Sequence, residues 1–137
     1  IWDPYHQKYI RQIEVVQHRA ARFVLGKPWR RCERDGITNM LNQLNWTTLE
    51  KRRKYARLTL LYKILHKLIC IPESYLPQLS TSRTRCHHEF KFLHYQTNVD
   101  SYKYAYFPRT VLDWNNLTEN IVNSSTLETF KLKLYSN

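Results

Sequence analysis

The first thirty residues carry a helix-period pattern. Ile10, Ile13, Val16, Ala20, Phe23 and Val24 recur at spacings of three and four. At about 100° per residue they fall within an arc of about 140°, as an amphipathic helix requires. Asp3 followed by Pro4 predicts the start, an N-cap acceptor and then a ring whose fixed φ suits the first helical position. Gly26 predicts the stop, because it enters the left-handed conformation that closes a helix without strain. Lys8, Arg11, His18, Arg19 and Arg22 fall within an arc of about 100° nearly opposite the apolar one. The reading is one buried stripe backed by one cationic stripe.

The pattern then changes several times. Lys27 to Asp35 is a charged connector, and a short helix is expected over Thr38 to Leu44, with Met40, Leu41 and Leu44 inward. Thr47-Thr48-Leu49-Glu50 reads as a capping box in which Thr47 and Glu50 each satisfy a backbone donor. It opens the second long helix, expected to reach about Leu68 and to be stopped by Pro72. Lys51, Arg52, Arg53, Lys54 and Arg57 make its first two turns basic around most of the circumference, whereas Leu58 to Ile69 reads as deep core. Regularity fades from Pro72 to Phe107. Within that stretch Ser80 to Arg85 is a polar, basic loop, and Tyr102, Tyr104 and Tyr106 alternate with other residues as in a short strand. Pro108 is expected to open a helix through Trp114, and Ser125-Thr126-Leu127-Glu128 a terminal helix with Leu127, Phe130 and Leu134 inward.

The pattern predicts a mainly α fold: one small helical domain over residues 1–137, with long helices at about 4–25 and 48–68, shorter helices, and an irregular or short-strand segment. A basic helical half, 1–68, precedes a loop-rich half, 69–137. Composition agrees, since 42% hydrophobic residues in a chain of 137 allow a real core. The two glycines, Gly26 and Gly36, provide too few tight turns for a many-turned β sandwich. No apolar run approaches the roughly 18 residues of a membrane span, so no membrane partner is expected. Ile1 to Lys8 lacks the plan of a signal peptide, and three scattered cysteines suggest no disulfide framework, so an intracellular setting, nuclear or cytoplasmic, is expected. Without entry to the secretory route the sequons at Asn45, Asn116 and Asn123 carry no weight. Ile1 is not an initiator Met, and a longer parent protein is expected.

Charge narrows the function. The net charge is +11, and residues 1–68 hold 15 of the 22 Lys and Arg with 5 of the 11 acids, leaving the second half almost neutral. A localised positive field draws a polyanion, and the alternative is a solvated, solubilising face. The candidate phosphate contacts are Lys8, Arg11, Arg19 and Arg22, joined by Arg52, Arg53 and Arg57, with smaller contributions from Arg83, Arg85 and Arg109; Arg109 has Asp113 as an alternative partner. Catalytic chemistry is absent from the pattern: no Gly-rich phosphate loop, no G-x-S-x-G elbow and no H-E-x-x-H. Cys86-His87-His88 with His94 offers a single cysteine where zinc sites want paired ligands, so neither a metal nor a cofactor is expected. Acids after Ile69 are isolated, which leaves no paired-carboxylate metal site. Cys70 reads as a buried thiol, and Trp2, Trp46 and Trp114 as wedges at helix ends. Tyr102, Tyr104 and Tyr106 fit either base stacking or a half-buried edge.

Several segments, in order, resemble the region beyond the polymerase core of non-LTR (LINE-type) retrotransposon reverse transcriptases. They are Trp2-Asp3-Pro4-Tyr5, then Ile13-Glu14-x-Val16-Gln17-x-Arg19-Ala20-Ala21-Arg22-Phe23-Val24, and Met40-Leu41-x-Gln43-Leu44-x-Trp46. Leu49-Glu50-x-Arg52-Arg53, Arg57-Leu58-x-x-Leu61-Tyr62-Lys63-Ile64, Phe107-Pro108-Arg109-Thr110 and Asp113-Trp114-Asn115-x-Leu117 follow. The resemblance covers nearly the whole chain. It implies a thumb-like, C-terminal module without polymerase aspartates or endonuclease, both of which would lie upstream in the parent RNA-directed DNA polymerase. Its implied partners are RNA, DNA and that upstream polymerase domain. The zinc-knuckle pattern of some relatives is not matched by Cys86-His87-His88. Two other functions stay open: a structural remnant of a truncated element, and a small helix-turn-helix regulator built on the 38–44 and 48–68 helices.

Overall fold

The computed structural model describes residues 3–27, 34–80 and 90–136. Among them the chain is mainly helical: α1 (Gln7–Val24), α2 (Arg34–Gln43), α3 (Leu49–Leu65), a 3-10 turn (Glu73–Tyr75), α4 (Asp100–Lys103), α5 (Tyr106–Asn115), α6 (Glu119–Val122) and α7 (Leu127–Tyr135). No helix of the described residues is long and apolar enough to cross a membrane. The chain separates into two compact units, Ile1–Arg53 and Lys54–Asn137, and the boundary falls inside α3.

In the first unit α1 packs against α2. The helix begins at Gln7, three residues after the Asp3-Pro4 start expected from sequence, because Asp3 is drawn into an ion pair with Arg53 instead of capping. Its end follows expectation: Gly26 takes φ +61°, Gly26 N–H donates to the Phe23 carbonyl and Lys27 N–H to the Arg22 carbonyl, a Schellman closure. Asn45, at φ 52°, closes α2 in the same way, with Trp46 N–H bonded to the Leu41 carbonyl. Helix α2 starts four residues before the expected Thr38; Met40 and Leu41 are buried as anticipated, and Leu44 is half-buried.

The buried face of α1 is not the expected one. Ile10, Gln17 and Ala21 are buried, with Ile13 and Glu14 half-buried beside them. Val16, Phe23 and Val24 are instead exposed, Phe23 to 88%. The cause is polar: Gln17 Nε2 donates to the Thr47 carbonyl at 2.8 Å, and the Glu14 carboxylate accepts the Leu49 and Glu50 amides at 3.2 and 2.7 Å. The start of α3 is therefore satisfied by α1. The capping box expected from Thr47 and Glu50 is replaced by Thr48, whose hydroxyl accepts the Lys51 amide, together with Glu14 from the neighbouring helix.

The second unit holds the larger core. Tyr55, Leu58, Leu61 and Tyr62 of α3 meet Val111 and Trp114 of α5, Ile121 and Val122 of α6, Phe130 and Leu134 of α7, and Phe92. Phe130 stacks on both Tyr62 and Trp114, with ring centroids 4.4 and 5.9 Å apart. Each polar edge in this core is met: Trp114 Nε1 donates to the Phe90 carbonyl, Tyr62 Oη to the Ser124 carbonyl, and the Asn115 amide exchanges two hydrogen bonds with the Phe92 backbone.

Helix α3 ends at Leu65, short of the expected Leu68. Lys67 takes φ 55° and Leu68 N–H closes onto the Lys63 carbonyl, so the stop precedes Pro72 and is unrelated to it. Leu68, Ile69 and Cys70 are consequently exposed, which corrects the deep core expected for residues 58–69 and the buried thiol. Tyr102, Tyr104 and Tyr106 do not form a strand; α4 and the start of α5 take that stretch, and α5 begins two residues before Pro108. The terminal cap is shifted by one residue, with Thr126 and Thr129 forming the box and Phe130 and Leu134 buried as expected. The sole ladder-like contact among the described residues is one antiparallel bridge, Leu79 with Phe92.

Candidate nucleic-acid interface

The cations named on α1, α3 and α5 belong to helix surfaces whose exposure is now defined. On α1 the exposed residues include Lys8, Arg11 and Arg19, whereas Arg22 is half-buried. At about 1.5 Å per residue, Lys8 and Arg19 lie about 16 Å apart along the helix, roughly five phosphates of one DNA strand. At about 100° per residue the three occupy an arc of about 80°. They project from one side of the helix as a row.

The acid of α1 at helical spacing from this row is Glu14, three residues after Arg11. Glu14 is the one acid of α1, and its carboxylate is only 13% exposed, held by the α3 amides and lying 3.8 Å from Arg53. His18 is half-buried; burial lowers its pKa, opposed by Glu14 and reinforced by Arg22, so the neutral imidazole is favoured there. The row's charge therefore comes from Lys and Arg.

The basic start of α3 divides differently. Arg52 is exposed, but Arg53 is 14% exposed and sits between Asp3 and Glu14 at 3.5 and 3.8 Å. In the second unit Arg57 is 11% exposed and donates to Asp113 at 2.9 Å, while Lys54 pairs with the other oxygen of Asp113 at 3.1 Å. Burial pulls the Arg57 guanidinium below its ordinary value, the Asp113 hydrogen bond pulls it back, and nearby Arg109 adds to the lowering. Arg53 and Arg57, expected among the phosphate contacts, are thus largely buried beside carboxylates, unlike Arg52. Arg109 is half-buried, and Asp113, its alternative partner in the sequence, pairs with Arg57 and Lys54. Arg83, Arg85 and the Cys86-His87-His88 cluster lie outside the described residues. Among the described residues no group of three or more His, Cys, Asp or Glu could hold a metal ion.

Reading the sequence missed which arginines are held by carboxylates. Glu14 was the available signal: four residues before His18 and three before Gln17, it shares a face with Ile10 and Ala21, so a carboxylate had to point into the packed side and find a partner there. No family model, characterised protein or solved structure matches this chain.

Proposed function

We propose that this chain is a nucleic-acid-binding module that grips phosphates through the exposed cationic row of α1, joined by Arg52, and contributes binding, not catalysis, to a larger protein. The observation that carries the reading is the row itself: Lys8, Arg11 and Arg19 are exposed on one side of a helix whose single acid is turned away. The net charge of +11 supplies the long-range attraction. The resemblance to the region beyond the polymerase core of non-LTR retrotransposon reverse transcriptases supports the same direction, with template RNA, primer or target DNA as the polyanion and the upstream polymerase domain as the covalent neighbour.

Phosphate contacts set affinity and register without reading sequence, so binding depends weakly on base identity and strongly on salt. The test is an anisotropy titration at several salt concentrations, with the wild type beside Lys8→Gln/Arg11→Gln/Arg19→Gln. Each phosphate lost flattens the log–log salt slope by about 0.9 for duplex or about 0.7 for single strands, so the triple variant should lose between about two and three units. Glutamine is a good helix former and the sites are exposed, so the fold should persist. An unchanged slope and affinity would leave the row as a solvated face and favour the remnant. Strong sequence preference would favour the helix-turn-helix reading.

A further inference from the structure

The second unit contains a cleft of about 680 Å³ that the cationic row does not use. It is built by three local features. The 3-10 turn Glu73–Tyr75 contributes lining residues; the Leu79–Phe92 bridge, flanked by Ser80 N–H to the Lys91 carbonyl and Leu93 N–H to the Gln78 carbonyl, holds the chain segments 76–80 and 90–96 side by side; and the corner between α4 and α5 contributes the rest. Its size lies within the roughly 300–1,000 Å³ of small-ligand sites.

The lining chemistry is specific. Tyr75, Tyr95, Tyr102 and Phe107 are among the lining residues, as are Gln78 and Gln96, whose side-chain amides can both donate and accept. Tyr95 and Tyr102 stand edge to face, 6.2 Å apart at 87°, so their planes are mutually fixed. Tyr106, also in the lining, is anchored by its hydroxyl, which donates to the Arg57 carbonyl at 3.0 Å. Tyr75 and Tyr102 remain 65% and 50% exposed. Among the described residues no Lys, Arg, Asp or Glu lines the cleft, and His94 is there beside the rings and amides, a lining that suits a planar group better than a phosphate.

We propose that this cleft accepts an unpaired nucleobase of a single-stranded nucleic acid, stacked on the exposed tyrosines with its edge read by the glutamine amides. The proposal rests on the nucleic-acid-binding reading above and specifies the form of the polymer, because a base within a duplex cannot present its faces to the rings. The charge of +11 favours a base over an uncharged proline-rich peptide, the other occupant that aromatic grooves accept, since the polyanion brings its bases with it.

Because the tyrosine rings and glutamine amides carry no charge, their contribution is separable from that of the α1 cations. The full chain is titrated with a short single-stranded oligoadenylate and with an abasic strand of equal length and charge, at several salt concentrations. Stacking contributes about 1–3 kcal/mol per base, so the abasic strand should bind about 5- to 150-fold more weakly with the same salt slope. Tyr75→Ala and Tyr102→Ala should each lower oligoadenylate affinity by at least about 5-fold at every salt concentration and leave abasic binding unchanged, while Tyr75→Phe retains the affinity. Equal affinity for the two strands, or tyrosine variants that bind like wild type, would overturn the proposal while the salt slope still upheld phosphate binding. Loss of all salt-dependent binding in the wild type would overturn the reading beneath it as well. Displacement of the oligoadenylate by a proline-rich peptide, with the abasic strand bound equally well, would assign the cleft to peptide.

Discussion

Replacing Asp113 with alanine tests whether the buried arginines hold the fold or await a phosphate. In the folded chain the Arg57 guanidinium is 11% exposed, and the Asp113 carboxylate is 2.9 Å from it and 3.1 Å from Lys54. Burial already works against the Arg57 charge, and the Asp113 hydrogen bond is the leading favourable influence. Removing one partner of a buried pair typically costs about 3–5 kcal/mol, because the remaining ion keeps its desolvation penalty and loses its compensation. Asp113 is 23% exposed and Lys54 45% exposed, so water recovers part of that loss. We expect Asp113→Ala to cost about 2–3 kcal/mol, below the fully buried case because the site is partly wet.

The second half of the test adds Arg57→Met in the same chain. Methionine fills the space with a flexible apolar side chain and removes the uncompensated charge, so the double variant should be less destabilised than the sum of the singles, with a coupling of about 1–2 kcal/mol. The assay is urea unfolding followed by near-ultraviolet dichroism, which reports the packing around Trp114, 1% exposed in the same unit. Urea avoids the ionic strength that guanidinium would add. A cost below about 1 kcal/mol with no coupling would refute the reasoning and return Arg57 to the residues available to bind phosphate.

Three further outcomes follow from the packing. Arg52→Gln should flatten the salt slope of nucleic-acid binding by about 0.7–0.9 with little loss of stability, whereas Arg53→Gln, beside two carboxylates, should cost about 1–2 kcal/mol and leave the slope unchanged; identical behaviour of these neighbours would contradict the assignment. Leu61→Ala, at a fully buried site, should cost about 2–5 kcal/mol in urea unfolding, and Phe23→Ala, 88% exposed, less than about 0.5 kcal/mol; a large effect at Phe23 would mean that α1 buries its other face. Burial raises the Tyr106 pKa well above its ordinary value against the pull of Arg57, and burial raises Tyr62 and Tyr95 in the same direction. Neutral tyrosine is then favoured by folding, so this stability is complete below pH of about 10 and is lost as pH rises beyond it; a urea midpoint unchanged on the alkaline side would refute the burial of these hydroxyls.

The helices of the second unit were legible because their apolar residues carry the packing. Leu58 and Leu61 on α3, Trp114 on α5, and Phe130 and Leu134 on α7 are all buried where the period put them. The face of α1 was not legible, because the rule that sends apolar residues inward assumes an apolar neighbour. Here the neighbour is a helix start with open amides, and Glu14 and Gln17 answer it better than Val16 or Phe23 could. The end of α3 was hidden for another reason: Lys67 adopts positive φ, a conformation that its side chain does not advertise as glycine would. The pairing of Arg57 with Asp113 joins residues 56 apart, beyond anything local periodicity reports. The aromatic cleft was foreshadowed only by its tyrosines, since its walls depend on the Leu79–Phe92 bridge.

Glu14 links the folding of the first unit to its surface charge. Open amides at the start of α3 carry partial positive charge, and a carboxylate placed there gains both hydrogen bonds and the attraction of the helix dipole. That demand fixes the rotation of α1: the face bearing Ile10, Glu14, Gln17 and Ala21 turns inward, and the face bearing Lys8, Arg11 and Arg19 turns to solvent. Arg53, one turn inside α3, then meets Glu14 and Asp3 because helical geometry returns it to the same side as the capped amides, while Arg52, about 100° away, does not. A carboxylate left on the outer face of α1 would have lowered the local potential by offering Arg11 or Arg19 an acidic neighbour at helical spacing. Drawing the one acid of α1 inward thus serves the cap, neutralises the arginine that cannot reach solvent, and leaves an exposed row of a single sign. The polar contact that makes the fold depart from its hydrophobic pattern is the same contact that concentrates its charge.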